Sequence, residues 1–173
     1  MDYGIALCFD KDTELYFNSI MAAISDETAS AEKRTSPSFP PHITLACFSA
    51  ESIDPIIKEL GRYASGLKAS DMTWVSLGAF VPSVLFAAPV INDYLLSANA
   101  ALSRLLEPFA LHGHYLPNKW VPHTTLAVNL SHDELVKAFD IASQQFNFFA
   151  GKCNRLLFAE CEPYKKVAVW DLF

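Results

Sequence analysis

Pro41-His42-Ile43-Thr44-Leu45-Ala46 returns almost unchanged as Pro122-His123-Thr124-Thr125-Leu126-Ala127. Five of the six positions are identical, and the copies lie 123 − 42 = 81 residues apart in a chain of 173. A repeat that keeps a His and a Thr in step predicts two half-sites facing one cleft. In an extended strand alternate side chains share a face. His42 and Thr44 then point one way, and Ile43, Leu45 and Cys47 the other. The second copy places His123 and Thr125 on one face, with Thr124, Leu126 and Val128 opposite. Ala46 and Ala127, next along the His/Thr face, are expected to leave room for a ligand. Pro41 and Pro122 lack an N–H and suit the first position of a strand.

Working outward, Tyr3 to Phe9 reads as a strand and Asp12 to Ile24 as a helix with Leu15, Ile20 and Ile24 on its apolar side. Ser25 to Pro40, rich in Ser, Thr and charge, reads as a loop leading into the first motif. His42 to Phe48 is a strand. Asp54-Pro55 reads as an N-cap and first helical position, opening a helix through Ile56, Ile57, Leu60 and Tyr63. Met72 to Phe80 and Val84 to Ala88 form two strands joined across Pro82-Ser83. A helix follows from Asn92 to Leu106, with Leu95, Leu96, Leu102, Leu105 and Leu106 on a wide apolar face. After an irregular segment, Leu111 to Pro122, the strand His123 to Val128 matches the first motif strand. Ser131-His132-Asp133-Glu134 is a capping box for a helix running to Gln145. Strands near Phe146 to Ala150, Asn154 to Glu160 and Lys166 to Trp170 close the chain.

The order around each motif is similar, which predicts a duplicated supersecondary unit. The expected fold is α+β and bilobal: two largely antiparallel β-sheets with outer helices around a central cleft, related by an internal pseudo-twofold. Residues 1–173 then form a single domain whose two lobes contribute one His-x-Thr motif each. With 51% apolar and 13% aromatic residues, such a core can be filled.

A net charge of −6, from 13 basic against 19 acidic residues, argues against a grip on long duplex nucleic acid. A nucleotide or a short single-stranded RNA end fits better. The longest apolar stretch, Ala79 to Ile91, is interrupted by Pro82 and Pro89 and falls short of the roughly 20 residues a membrane span needs. No signal pattern marks the N-terminus. A soluble, cytoplasmic monomer is expected, with no membrane partner. Cys8, Cys47, Cys153 and Cys161 stand singly in apolar segments, as buried reduced thiols do.

Two imidazoles across a groove can divide acid and base work near neutral pH. The Thr hydroxyls on the same faces can hydrogen-bond non-bridging phosphate oxygens. Neither a metal nor a cofactor is required. At His42-Ile43-Thr44-Leu45 and His123-Thr124-Thr125-Leu126 the chain resembles the two-histidine (2H) phosphoesterases, which include bacterial RNA 2′,3′-cyclic phosphodiesterases, also called 2′-5′ RNA ligases. The resemblance implies a bilobal fold and metal-independent cleavage of cyclic phosphates or 2′-5′ linkages. It implies catalytic roles for His42 and His123, and phosphate binding by Thr44 and Thr125. The RNA-ligase branch commonly carries a basic residue after the second motif, where this chain has Ala127-Val128. Hydrolysis is therefore expected ahead of ligation.

Phe39, Lys119 and Trp120 lie just before the motifs, where an aromatic could stack on a base. Tyr164 and Lys165 sit in the last turn, within reach of a cleft mouth. Arg34 belongs to the first loop. His112-Gly113-His114 lacks a third ligand for a metal site, and His132 belongs to a helix start. The alternative to catalysis is a nucleotide-binding or sensing module using the same cleft. A purely structural repeat would instead have to bury both imidazoles against internal partners.

Overall fold

The computed structural model describes residues 1–28 and 39–173. Arg34 and most of the first loop lie outside the described residues. Elements follow in the order β1 (Asp2–Phe9), α1 (Lys11–Glu27), β2 (His42–Ser49), α2 (Asp54–Gly66), β3 (Ser70–Phe80), β4 (Val84–Pro89), α3 (Asp93–Leu105), β5 (Ala110–Leu111), a 3₁₀ turn (Gly113–Tyr115), β6 (Thr124–Ala127), α4 (His132–Gln145), β7 (Phe149–Glu160) and β8 (Lys165–Asp171).

The α+β architecture and the internal duplication expected from the sequence are both found. All strand pairings are antiparallel, and they join the two expected sheets into one circuit. The order β1-β2-β6-β4-β3-β7 closes when β7 pairs with β1, while β8 extends from β7 and β5 from β2. A pseudo-twofold runs through this circuit. Ile43 pairs with Thr124 where β2 meets β6, and Asp71 pairs with Lys152 where β3 meets β7. The members of both pairs are 81 residues apart, so each pair maps onto itself. The prolines of the hairpin turns, Pro82 and Pro163, keep the same offset.

Capping residues set the helix starts. The Asp10 carboxylate accepts from Thr13 N at 3.0 Å, and Asn92 Oδ1 accepts from Leu95 N at 3.0 Å. The Ser131/Glu134 capping box is formed. At α2 the cap shifts: Ile53 is the N-cap without a side-chain bond, Asp54 is the first helical residue and Pro55 the second.

Burial also corrects the expected helix faces. Leu15, Leu96 and Ile57 are exposed. Phe17, Ile20 and Ile24 fill the inner face of α1, and Leu95, Ala98 and Leu102 that of α3. Long apolar side chains beside the stripe cover its edges, so composition alone overstated the width of each face. The strands expected near Phe146 to Ala150 and Asn154 to Glu160 are one strand, β7, because Gly151 and Lys152 continue the ladder opposite Met72 and Asp71. One half of β7 pairs with β3 and the other with β1, so this strand closes the circuit. Among the described residues no helix is long and apolar enough to cross a membrane.

Candidate active site

The single Ile43–Thr124 pairing brings the two motifs side by side. Continuing that antiparallel register sets His42 across from Thr125 and Thr44 across from His123. All four side chains then share one face of the crossing. On the opposite face Ile43 and Thr124 are fully buried, and the Thr124 hydroxyl accepts from the indole Nε1 of Trp74 at 3.0 Å.

A β-bulge shapes each motif strand just beyond the Thr. Ile5 pairs with Ala46 but Ala6 with Thr44, so Leu45 is the extra residue. Leu85 pairs with Ala127 but Phe86 with Thr125, so Leu126 is the extra residue in the second copy. A bulge switches the faces of the residues that follow. Ala46 and Ala127 consequently enter the core, and Cys47 and Val128 turn into the cleft. This reverses the assignment of those four residues that strict alternation gives.

Each imidazole is anchored identically. His42 Nδ1 lies 2.8 Å from the Pro40 carbonyl, and His123 Nδ1 lies 2.7 Å from the Val121 carbonyl. A carbonyl only accepts, so Nδ1 carries the proton and the lone pair of the neutral ring sits on Nε2. Each ring is also packed by aromatics. Phe39 lies 4.2 Å from His42, with Tyr164 4.5 Å behind it. Phe80 and Phe86 lie 4.9 and 5.3 Å from His123. The Phe86 ring covers Gly78, where a Cβ would fall 2.6 Å from it. Burial depresses the His123 pKa below the ordinary imidazole value, outweighing the bond to Val121.

The cleft has two adjoining cavities that share Tyr115. One, of about 440 Å³, is lined by His123, Thr125, Phe80, Trp120, Lys119 and His114 among others. The other, of about 170 Å³, holds His42, Thr44, Phe39, Cys47, Cys161 and Tyr164 among its walls. Burial pushes the Tyr115 pKa up to about 12, so its phenol stays protonated at neutral pH. Asn99, buried on α3, donates to the carbonyls of Leu45 (2.9 Å) and Tyr115 (2.8 Å), clamping the first bulge to the partition between the cavities. Asn99→Leu is expected to cost about 1–3 kcal/mol for each carbonyl left unsatisfied. Urea unfolding measures this, and an unchanged midpoint would show that the clamp is dispensable.

Of the flanking residues read from the sequence, Phe39, Lys119, Trp120 and Tyr164 line the cavities. The Trp120 indole donates to the Thr44 carbonyl at 3.0 Å, tying one motif to the other. Lys165 is exposed and turned to Glu160, 3.5 Å away. His112 and His114 diverge: His112 Nε2 meets Ser49 Oγ at 3.2 Å, while His114 faces the larger cavity. Cys161 is exposed in the turn after β7, whereas Cys8, Cys47 and Cys153 are buried as expected. Tyr115, Phe80 and Phe86 escaped the sequence reading. The 81-residue offset could have drawn attention to Phe80, since it places that turn opposite the one holding Cys161 and Tyr164.

A pseudo-twofold barrel-like circuit that presents two anchored His-x-Thr pairs on one face matches the arrangement that the resemblance to the two-histidine phosphoesterases implies. The chain belongs to the 2′-5′ RNA ligase superfamily, whose sequence profile matches residues 17–166. Similar solved structures cover almost the whole chain. E. coli LigT complexed with 3′-AMP superimposes with a TM-score of 0.58 at 14% identity, covering 98% of this chain and 97% of LigT. A structure described as a phosphoesterase gives 0.56 at 16% identity over 98% and 97% of the two chains. TT0787 of Thermus thermophilus gives 0.55 at 17% identity over 99% and 98%. No curated protein matches the sequence.

Proposed function

We propose that the protein is a phosphodiesterase that hydrolyses 2′,3′-cyclic phosphates or 2′-5′ linkages of nucleotides or short RNA ends, without a metal. The observation that carries this reading is the crossing itself, where each anchored imidazole stands across from the other motif's Thr. The family supports phosphodiester chemistry, and the nucleotide bound to LigT supports the ligand class.

The His123 environment favours neutral imidazole at pH 7, so its Nε2 accepts the proton of the attacking water. Water oxygen bonds to phosphorus as the opposite P–O bond breaks. His42, as imidazolium, passes its Nε2 proton to the departing 2′ or 3′ oxygen of a cyclic phosphate, or to the 5′ oxygen of a 2′-5′ linkage. Thr44 and Thr125 donate to the non-bridging oxygens, where charge accumulates. The protonated Tyr115 phenol lines the same cavity as Thr44. Phe39 and Trp120 provide aromatic surface for a base, and Lys119 a charge at the cavity edge.

The test is product chromatography in EDTA with the four nucleoside 2′,3′-cyclic phosphates and a 2′-5′ linked dinucleotide. Turnover of at least one is expected. Calorimetric binding without product after long incubation would replace the enzyme with a sensing module.

The pH dependence has a definite sign. A base with a depressed pKa is lost to protonation only as the pH falls through that lower value. The acidic limb of kcat/KM is therefore expected below about 6.5, the ordinary imidazole value, with an alkaline limb where the acid deprotonates. Both apparent values belong to the coupled pair. An acidic limb above that value would remove His123 as the base.

A further inference from the structure

Four thiols are present, and two of them meet at the cleft. Cys47 Sγ lies 3.9 Å from Cys161 Sγ. The bulge at Leu45 turns Cys47 to this side; the equivalent residue of the other half is Val128, which has no thiol. Both cysteines line the smaller cavity beside His42 and Thr44, and both also line a depression open to solvent with Met1, Asp2 and Glu162. Gly4 of β1 lies between them and has no side chain to separate the sulfurs; a Cβ there would sit 3.5 Å from Cys161 Sγ.

We infer that Cys47 and Cys161 form an oxidisable dithiol, a covalent modification site in the wall of the His42 cavity that hydroperoxides convert to a disulfide. The two sulfurs have unequal roles. The sulfurs share a hydrogen bond in which either can donate; it lowers the Cys161 pKa, while that bond and burial raise the Cys47 pKa. Cys161 is also the exposed member. Its thiolate attacks one oxygen of a hydroperoxide, the O–O bond breaks, and the alcohol or water leaves with the thiol's proton. Cys161 is then a sulfenic acid. Cys47 sulfur attacks that sulfur, the S–S bond forms, and hydroxide leaves as water with the Cys47 proton. The two thiols lose two electrons and the peroxide gains them. Cys8, pushed up to about 12 by burial, and the buried Cys153 are kept from this chemistry.

Closure requires movement. Cys47 lies on β2, opposite Gly4, and Cys161 N donates to Asp2 O on the other edge of β1. Two strand spacings amount to about 9–10 Å, whereas a disulfide holds its Cα atoms within about 7 Å. β2 is packed in the core, so the exposed turn carrying Cys161 moves. Three residues on, Tyr164 packs on Phe39 and Phe39 on His42. Oxidation therefore displaces the wall that holds His42.

The test treats the intact protein with hydrogen peroxide and reads non-reducing intact mass and peptide maps. The expected product is about 2 Da lighter, maps to Cys47–Cys161, leaves Cys8 and Cys153 as thiols, and is reversed by dithiothreitol. In Cys47→Ser that species is absent and dimedone traps a sulfenic acid at Cys161. Sulfinic or sulfonic acid at Cys161 without a cross-link in the wild type, or cross-links involving Cys8 or Cys153, would overturn the assignment. Mass is read without any substrate, so this result stands apart from the phosphodiesterase reading. On that reading, turnover is lost as the cross-link forms and returns on reduction. Cross-linked protein that turns over at the reduced rate would overturn the displacement of His42.

Discussion

His123→Ala is expected to lower kcat by about 10²–10⁴-fold, the usual loss when a positioned acid or base is removed. His42→Ala is expected to fall in the same range. The reasoning is geometric. Each ring is held through Nδ1 by a carbonyl two residues earlier, and each stands across the crossing from the other motif's Thr. Neither ring can take over its partner's role, because water and leaving oxygen lie on opposite sides of phosphorus in an in-line displacement. The double variant should be little worse than either single one, since groups that act as a unit lose their effect together. The anchor predicts little cost to folding: each imidazole is only half-buried and is held through Nδ1 by a backbone carbonyl. Steady-state kinetics beside thermal unfolding separates the two effects. Full turnover in either variant would remove the two-histidine mechanism, and unfolding in both would instead favour a structural role for the repeat.

What the sequence revealed and what it hid have physical reasons. The repeat was legible because it is local: two strands with the same alternation and the same preceding proline. It also carried the pseudo-twofold, since a fixed offset between motifs implies a fixed offset between their surroundings. Alternation failed after Thr44 and Thr125, because a bulge adds a residue without leaving a mark in Leu45 or Leu126. Hence Cys47 and Val128 were assigned to the wrong face, and the thiol pair could not be seen. Tyr115 was hidden for another reason. It reaches the cleft through a long connection fixed by Asn99, and no spacing rule predicts where such a segment docks. Likewise Phe80 and Phe86 belong to a hairpin distant in sequence from His123, and only the pairing of β4 with β6 brings them to it.

Trp74→Ala is expected to destabilise the fold by about 3–5 kcal/mol, the usual cost of removing a large aromatic from a core. That is a large share of the roughly 5–15 kcal/mol that holds a typical domain together. Trp74 is fully buried, with Phe17 at 5.0 Å, Phe9 at 5.1 Å and Phe149 at 6.0 Å around it. Urea unfolding should show a lower midpoint, and a midpoint within error of wild type would contradict the packing. Thr124→Val separates the polar part: the indole N–H is left buried without its acceptor, at about 1–3 kcal/mol. A double-mutant cycle with Trp74→Phe isolates the hydrogen bond from the packing. The same bond accounts for the one mismatch in the repeat. Position 124 is Thr where position 43 is Ile, and the residue 81 positions beyond Trp74 is Arg155. Arg155 binds the Phe9 carbonyl and Glu14, so no indole calls for a hydroxyl beside Ile43. The repeat thus departs from identity on its buried face, where two different cores must be filled, and keeps His and Thr on the face where one phosphate would be shared.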